Sequence, residues 1–89
     1  MIRVRVYKKD GKKAEVSALH DNAREAYRYA IGFADAINLM GGCFLPASFE
    51  KKVLPALEND GVFSFNETEY SIYIYNPDVI LGDPREYQV

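Results

Sequence analysis

The sequence predicts an α+β fold in which two strands, two helices and two further strands follow one another along the chain. Residues near both ends alternate apolar with polar side chains, which is the period of a half-buried strand. Between them, apolar residues recur at helical spacing, and a shorter proline-containing segment follows. One four-stranded, mostly antiparallel sheet with both helices packed on one face would bury all of these apolar faces together. The order of the strands in that sheet is left open.

The length and composition of the chain fit a single small domain. Its 89 residues are enough for one hydrophobic core. A hydrophobic content of 48%, with five Phe and seven Tyr, is too high for a disordered chain. The periodic pattern ends at Asn76-Pro77, so we expect an α+β domain over residues 1–76. We expect residues 77–89 to form an extended C-terminal tail that contains a short apolar island, Val79 to Leu81.

The cysteine content and the first residues favour a cytoplasmic protein. The single cysteine, Cys43, excludes an intramolecular disulfide and fits a reducing compartment. Residues 2–7 alternate apolar with polar side chains, unlike a secretory signal peptide. No apolar run approaches the roughly 20 residues of a membrane-spanning helix. We therefore expect no membrane partner.

Residues 2–18 predict the first β-hairpin. Its apolar residues share one parity in each strand: Ile2, Val4 and Val6, then Ala14, Val16 and Ala18. A two-residue turn at Asp10-Gly11 would place polar residues on the apolar face. We expect instead a three-residue loop, Lys9 to Gly11, with Gly11 in the left-handed conformation. The resulting pairs are Val6 with Ala14, Val4 with Val16, Ile2 with Ala18, Tyr7 with Lys13, Arg5 with Glu15 and Arg3 with Ser17.

A long helix is predicted to follow, starting near Asp21-Asn22 and running to about Met40. Asn22 and Glu25 have the spacing of a capping box, and Gly41-Gly42 would end the helix. Its apolar stripe is centred on alanine, which lets a helix approach a sheet closely. The stripe consists of Ala23, Ala26, Tyr27, Ala30, Phe33, Ala34, Ile37 and Met40.

A second, shorter helical segment begins at Leu45-Pro46, where proline suits a first turn. Pro55 lacks a backbone donor, so we expect a kink or break near Val53. Residues with the spacing to face the core are Phe49, Val53, Leu54 and Leu57. The segment should end at Asn59-Asp60-Gly61.

Residues 62–75 predict the second β-hairpin, around the loop Asn66 to Glu69. Pairing Phe65 with Tyr70 and Phe63 with Ile72 sorts the side chains into two faces. The inward face would hold Phe63, Phe65, Tyr70, Ile72 and Ile74, and the outward face Val62, Ser64, Ser71, Tyr73 and Tyr75. The reverse assignment stays open, because Val62, Tyr73 and Tyr75 are also apolar enough to be buried.

The chain contains few of the residue types that catalytic and metal sites usually need. We therefore expect neither an enzyme nor a bound cofactor or metal. His20 and Cys43 are the only residues of their types, and they flank opposite ends of the predicted long helix. That separation argues against a Cys–His pair, and a zinc site would need more ligands. We expect His20 to be exposed and Cys43 to be a small buried hydrophobic residue.

The outward face of the sheet is the predicted binding surface. It would combine basic and aromatic side chains from both hairpins: Arg3, Arg5, Tyr7, Lys13, Tyr73 and Tyr75. Such a face can bind single-stranded nucleic acid by stacking and phosphate contacts. Tyrosine and arginine are also enriched at the centres of protein interfaces. A third interpretation is a solvated face whose tyrosine rings pack on neighbouring side chains.

The charge distribution favours a protein partner over nucleic acid. Residues 1–30 contain eight Lys or Arg and four Asp or Glu, whereas residues 31–89 contain three and nine. The net charge is −2, and affinity for nucleic acid depends mainly on positive charge. We therefore expect a non-catalytic protein-binding module, with a single-stranded nucleic-acid-binding domain as the alternative.

In size and element order the chain is similar to small α+β proteins of phages and mobile elements, some of which inhibit host enzymes by binding them. That resemblance implies a small inhibitor or adaptor, and no site residue follows from it. We also expect a two-fold symmetric homodimer, because the outward face would carry Val62, Tyr7, Tyr73 and Tyr75. The alternative is that the tail residues Val79 to Leu81 cover this face within one chain.

Overall fold

A computed structural model describes residues 1–36, 49–66 and 70–87 of the chain. The strands are β1 (Ile2–Lys8), β2 (Val16–His20), β3 (Val62–Asn66) and β4 (Tyr70–Tyr75). The helical elements are α1 (Ala23–Ala36), a π-helical segment (Phe49–Val53), α2 (Leu54–Asn59) and a 3-10 helix (Pro84–Tyr87). The predicted α+β class and ββααββ order are confirmed. No helix in the described ranges is both long and apolar enough to cross a membrane.

The sheet has the strand order β2-β1-β4-β3, and every strand pair is antiparallel. The first and last strands of the domain, β1 and β4, are therefore central neighbours, with Val4 opposite Ile74 and Val6 opposite Ile72. This pairing joins the two hairpins into one sheet and leaves β2 and β3 at its edges.

The first hairpin has a different register from the predicted one. Val6 lies opposite Val16 and Val4 opposite Ala18, two residues away from the predicted pairs. The N–H of Glu15 donates to the carbonyl of Val6 at 2.7 Å, so Glu15 and Val16 both oppose Val6. A place where two residues of one strand lie opposite a single residue of the partner strand is a β-bulge. The bulge turns Ala14 to the outward face, where it packs against buried tyrosines.

The loop of this hairpin also differs from the prediction. The N–H of Gly11 donates to the carbonyl of Lys8 at 2.9 Å, which closes a tight turn after β1. The positive-φ glycines of the described residues are Gly61 and Gly82. The predicted left-handed conformation of Gly11 is therefore wrong, because the longer, bulged connection removes the need for it.

The second hairpin is likewise displaced by two residues, with Phe63 opposite Ile74 and Phe65 opposite Ile72. The predicted faces are nevertheless confirmed where the structure describes the side chains. Ile72 and Ile74 lie in the inner core, whereas Tyr73 and Tyr75 lie on the outward face. A shift of two residues leaves every side chain on its own face, since the side-chain period of a strand is two. Residues 67–69 of the predicted loop lie outside the described residues.

Helix α1 packs on the inner face of the sheet. The Oδ1 of Asn22 accepts the N–H of Glu25 at 2.9 Å, which confirms the predicted cap. The buried core of this layer consists of Val4, Val6, Ala26, Tyr27, Ala30, Phe49, Val53, Ile72 and Ile74. The predicted helix end at Met40, the following glycines and Cys43 lie outside the described residues.

The second helical region is divided where the proline predicts it. The π-helical segment ends at Val53, and Pro55 lies in the first turn of α2, where its missing N–H costs nothing. Phe49 and Val53 are buried, and Leu54 and Leu57 pack against the same core. Gly61 ends the region in a left-handed conformation with φ of 77°. The predicted start at Pro46 lies outside the described residues.

Candidate functional site

The predicted basic and aromatic residues share the outward face of the sheet. Arg3 lies opposite Tyr75 and Arg5 opposite Tyr73 across the central strand pair. The rings of Tyr7 and Tyr73 meet edge to face, with centroids 5.7 Å apart. The alternation of side chains along β1 and β4 therefore brings both residue types together. Lys13 is exposed in the loop between β1 and β2, and its predicted position opposite Tyr7 is wrong because of the bulge.

The three tyrosines of this face are buried. Tyr7 is 3% exposed, Tyr73 4% and Tyr75 1%, and we call them the tyrosine cluster. Burial raises the pKa values of Tyr73 and Tyr75 above the usual range, because the phenolate would lose its hydration. The cluster is therefore a second, outer core rather than an open stacking surface.

Residues 77–87, which we call the C-terminal segment, cover this cluster. Ile80 is buried against it, and Pro84 is fully buried. The segment is not extended throughout. It turns back at Asn76, whose carbonyl accepts the N–H groups of Val79 at 3.0 Å and Ile80 at 2.9 Å, and it ends in the 3-10 helix. Of the apolar island that was expected to cover this face, Ile80 does so, whereas Val79 and Leu81 are 57% and 69% exposed.

Arg85 anchors the C-terminal segment to the first hairpin. Its guanidinium carbon lies 3.9 Å from the centroid of the Tyr7 ring. Its Nη1 donates to the carbonyl of Gly11 at 2.7 Å, and its Nη2 donates to that of Lys12 at 3.2 Å. The sequence prediction missed this residue. Its signal was an isolated arginine next to a proline in an otherwise acidic tail.

Asp83 completes the anchor. Its Oδ2 accepts a hydrogen bond from Nη2 of Arg85 at 2.7 Å. Its Oδ1 accepts two more, from Nε of Arg85 at 3.1 Å and from the backbone N–H of Arg85 at 2.9 Å. The side-chain hydrogen bond from Arg85 holds the pKa of the Asp83 carboxyl below its usual range. The two hydrogen bonds between the Asp83 carboxylate and the Arg85 guanidinium hold the guanidinium in place over the Tyr7 ring.

Beside the covered cluster, the outward face stays accessible along its β2 side. Arg3 Nη1 donates to the Oγ of Ser17 at 2.9 Å, and Arg5 Nη1 donates to the carbonyl of Gly82 at 3.4 Å. Leu19 lies opposite Arg3 and is 44% exposed, and Leu81, which precedes Gly82, is 69% exposed. We call Arg3, Arg5, Leu19 and Leu81 the basic-apolar margin.

His20 lies on the other face of β2 and is half-buried, not exposed as predicted. It ends the strand opposite Ile2, and its ring centroid lies 4.8 Å from that of Tyr29. Packing against α1 explains the difference, because the residue belongs to the strand rather than to a loop before the helix. In the described ranges, no group of three His, Cys, Asp or Glu side chains is placed to hold a metal ion.

The six predicted site residues thus separate into two groups. Tyr7, Tyr73 and Tyr75 are buried, whereas Arg3 and Arg5 are partly exposed and Lys13 is exposed. No family model, curated protein or solved structure matches this chain. The geometry of the outward face is therefore the basis for a functional proposal.

Proposed function

We propose that this chain is a non-catalytic protein-binding module that contacts its partner through the basic-apolar margin. The observation that carries the proposal is the exposure of Leu19 and Leu81 on the face that presents Arg3 and Arg5. Exposed apolar side chains rimmed by polar groups are typical of interaction sites. Arginine is enriched at the residues that contribute most to protein binding.

The chemistry of the margin favours a partner surface with carboxylates around an apolar centre. The hydroxyl of Ser17 accepts hydrogen bonds from both Arg3 and Arg5, at 2.9 Å and 3.4 Å, which orients the two guanidinium groups. A guanidinium has five N–H donors, so each arginine has the capacity for a bidentate carboxylate contact. Orientation before binding lowers the entropy lost on association.

The loop after β1 adds positive charge at the other end of the strand that carries Arg3 and Arg5. Residues 8–13 contain four lysines and one aspartate, and Lys12 and Lys13 are exposed. A concentrated positive potential accelerates encounter with an acidic partner. We propose that this encounter takes place in the cytoplasm, consistent with a chain that has a single cysteine. An inhibitor or an adaptor would both use such a surface.

The arrangement supports a protein partner more than single-stranded nucleic acid. Base stacking needs accessible aromatic faces, and the tyrosine cluster lies beneath the C-terminal segment.

The homodimer expected through the same tyrosines stays a prediction. Its self-complementary patch would have to form with residues 77–87 displaced.

The proposal is tested by affinity capture from the source cells with the wild-type chain and two charge-reversal variants. Arg3→Glu alters the margin, and Lys51→Glu makes the same change at an exposed position of the π-helical segment. We expect a stoichiometric partner whose affinity, measured by calorimetry with the purified pair, falls at least tenfold with Arg3→Glu and stays unchanged with Lys51→Glu. Equal affinity for both variants would place the interface elsewhere, and repeated absence of a partner would contradict a binding function.

A further inference from the structure

We propose that the outward face beneath the C-terminal segment is a peptide-binding groove with an arginine site, and that residues 77–87 are its resident ligand. The incoming ligand is an arginine-containing segment of a partner protein, which displaces the chain's own segment. This inference goes beyond the proposed function. A partner reaches the basic-apolar margin while the C-terminal segment is in place, whereas the groove opens only when that segment leaves.

The arginine site is built entirely by the first hairpin. The ring of Tyr7 forms one wall, and the carbonyl groups of Gly11 and Lys12 accept the guanidinium at its edge. An aromatic face together with two fixed carbonyl acceptors matches a planar, delocalised cation better than a compact ammonium. The hydrogen bond from Gly11 N–H to the carbonyl of Lys8 holds the loop in shape. The site thus belongs to the domain and not to the segment that fills it.

The charge around the site determines what else a ligand must carry. Lys8, Lys9, Lys12 and Lys13 belong to the same loop or its border, so an isolated arginine would meet like charge. In the C-terminal segment, Asp83 forms a salt bridge to Arg85 at 2.7 Å and offsets this repulsion. A ligand therefore needs its own carboxylate two residues before its arginine.

The remainder of the groove selects apolar groups at fixed spacing. Ile80 is buried against the tyrosine cluster, and Pro84 is fully buried. Val79 and Leu81 on either side of Ile80 are exposed, so one aliphatic side chain anchors this part. The recognised pattern is an aliphatic residue, one variable residue, a glycine, and then Asp-Pro-Arg, because Gly82 has a φ of 94°.

The C-terminal segment is held in a manner that permits exchange. Its backbone hydrogen bonds include turn bonds near Asn76 and within the 3-10 helix, and no strand ladder joins its described residues to β1 or β4. The anchoring contacts of Ile80 and Arg85 are made by their side chains, and another peptide of the same pattern can reproduce them. A tethered ligand acts at an effective concentration of the order of millimolar, so the wild-type chain should bind a free peptide weakly.

The test uses a fluorescently labelled synthetic peptide with the sequence of residues 77–89 and the full-length chain. In a release variant, Ile80→Asp and Arg85→Ala remove two anchors of the chain's own segment. We expect the release variant to bind the peptide at least tenfold more tightly than the wild-type chain, as measured by fluorescence anisotropy. Peptides with Arg85→Ala or Arg85→Lys should bind the release variant at least tenfold more weakly, whereas a Val79→Ala peptide should bind like the parent.

Two results would overturn the groove. One is a folded release variant that binds the peptide no better than the wild-type chain does, and the other is equal binding of the parent and Arg85→Ala peptides. If circular dichroism shows that the release variant is unfolded, the decisive measurement is an NMR titration of the wild-type chain with millimolar peptide. Shifts of the Tyr7 ring signals with the parent peptide, and their absence with the Arg85→Ala peptide, support the groove; unchanged signals with both overturn it. The affinity capture that tests the basic-apolar margin uses the chain with its C-terminal segment in place. A failed peptide titration would therefore contradict the groove but not the proposed function.

Discussion

The guanidinium carbon of Arg85 lies 3.9 Å from the centroid of the Tyr7 ring, although the two residues come from opposite ends of the described chain. This contact connects the outer core to the first hairpin. It places a cation over an aromatic ring that meets Tyr73 edge to face and belongs to one buried cluster with Tyr75 and Ile80. The packing of Tyr7 in the outer core should therefore depend on a residue from the other end of the chain.

Replacing Arg85 with alanine should lower the free energy of unfolding by about 1–2 kcal/mol. The change removes the cation–π contact and two charge-assisted hydrogen bonds, and solvent screening at this partly exposed site limits the loss. Arg85→Lys should recover only part of it, because an ammonium lacks the planar fork. Urea unfolding measures the effect.

The matched control for this prediction is Lys8→Ala. It removes an ion pair with Glu15 whose side chains are 60% and 47% exposed, so the expected change lies within about 0.5 kcal/mol. Equal losses for Arg85→Ala and Lys8→Ala would contradict an anchoring role for Arg85.

Two glycine substitutions should have opposite effects. Gly61 has a φ of 77°, and a Cβ there would lie 2.7 Å from the Cγ1 of Val79, so Gly61→Ala should destabilise the chain by about 1–3 kcal/mol. Gly32 lies within α1, where a Cβ meets no atom within 4 Å. Gly32→Ala should stabilise by about 0.5–1 kcal/mol through helix propensity. Thermal unfolding of both variants checks the pair, and a stabilised Gly61→Ala would contradict the observed turn.

Truncating Ile80 should loosen the outer core selectively. Ile80→Ala removes a side chain that is 4% exposed, and losses of about 2–4 kcal/mol are usual for such core changes. Val79→Ala, one residue earlier and 57% exposed, should change stability by less than about 0.5 kcal/mol. Denaturant unfolding followed by tyrosine fluorescence measures both. Similar losses for the two variants would show that the C-terminal segment is not anchored at Ile80.

Stability should fall at alkaline pH because of the tyrosine cluster. Burial raises the folded-state pKa values of Tyr73 and Tyr75, and burial raises that of Tyr27 in the inner core as well. The unfolded chain therefore loses these protons first, from about pH 10 upward. The contribution of the protonated tyrosines to the free energy of unfolding is fully present below about pH 10. It is lost as the pH rises through their folded-state pKa values.

Chemical denaturation between pH 8 and pH 11 tests this dependence. Tyr75→Phe should reduce the slope above pH 10, because phenylalanine has no ionisable group. An unchanged slope in this variant would mean that the alkaline loss arises elsewhere.

The alternation of apolar residues was sufficient to predict the faces of the sheet but not the register of either hairpin. Both registers differ from prediction by two residues, as the pairs Val6–Val16 and Phe63–Ile74 show. A shift of two preserves the face of every paired residue, so the hydrophobic pattern carries no signal that distinguishes the two alternatives. Ala14, which lies before the bulge, is the exception: it was predicted on the inward face and packs on the outward one. In the first hairpin the bulge at Glu15 decided the register.

Arg3 and Arg5 of the candidate site were predicted, whereas the contributions of Leu19 and Leu81 and the burial of the three tyrosines were not. Side-chain parity correctly placed Arg3 and Arg5 on the face of Tyr73 and Tyr75. The pairing of β1 with β4 that makes them neighbours joins strands from the two ends of the domain. No local pattern in the sequence encodes that pairing.

The sequence by itself determined the fold class, the cap at Asn22, the break at Pro55 and the faces of the paired strand residues, because each depends on residues close together along the chain. Only the tertiary structure decided the strand order and the covering of the tyrosine cluster. The hydrogen bond between Arg85 and Gly11 joins residues 74 positions apart, and that between Arg5 and Gly82 joins residues 77 positions apart. Such contacts form only once the sheet has brought β1 beside β4, since their geometry depends on packing rather than on periodicity.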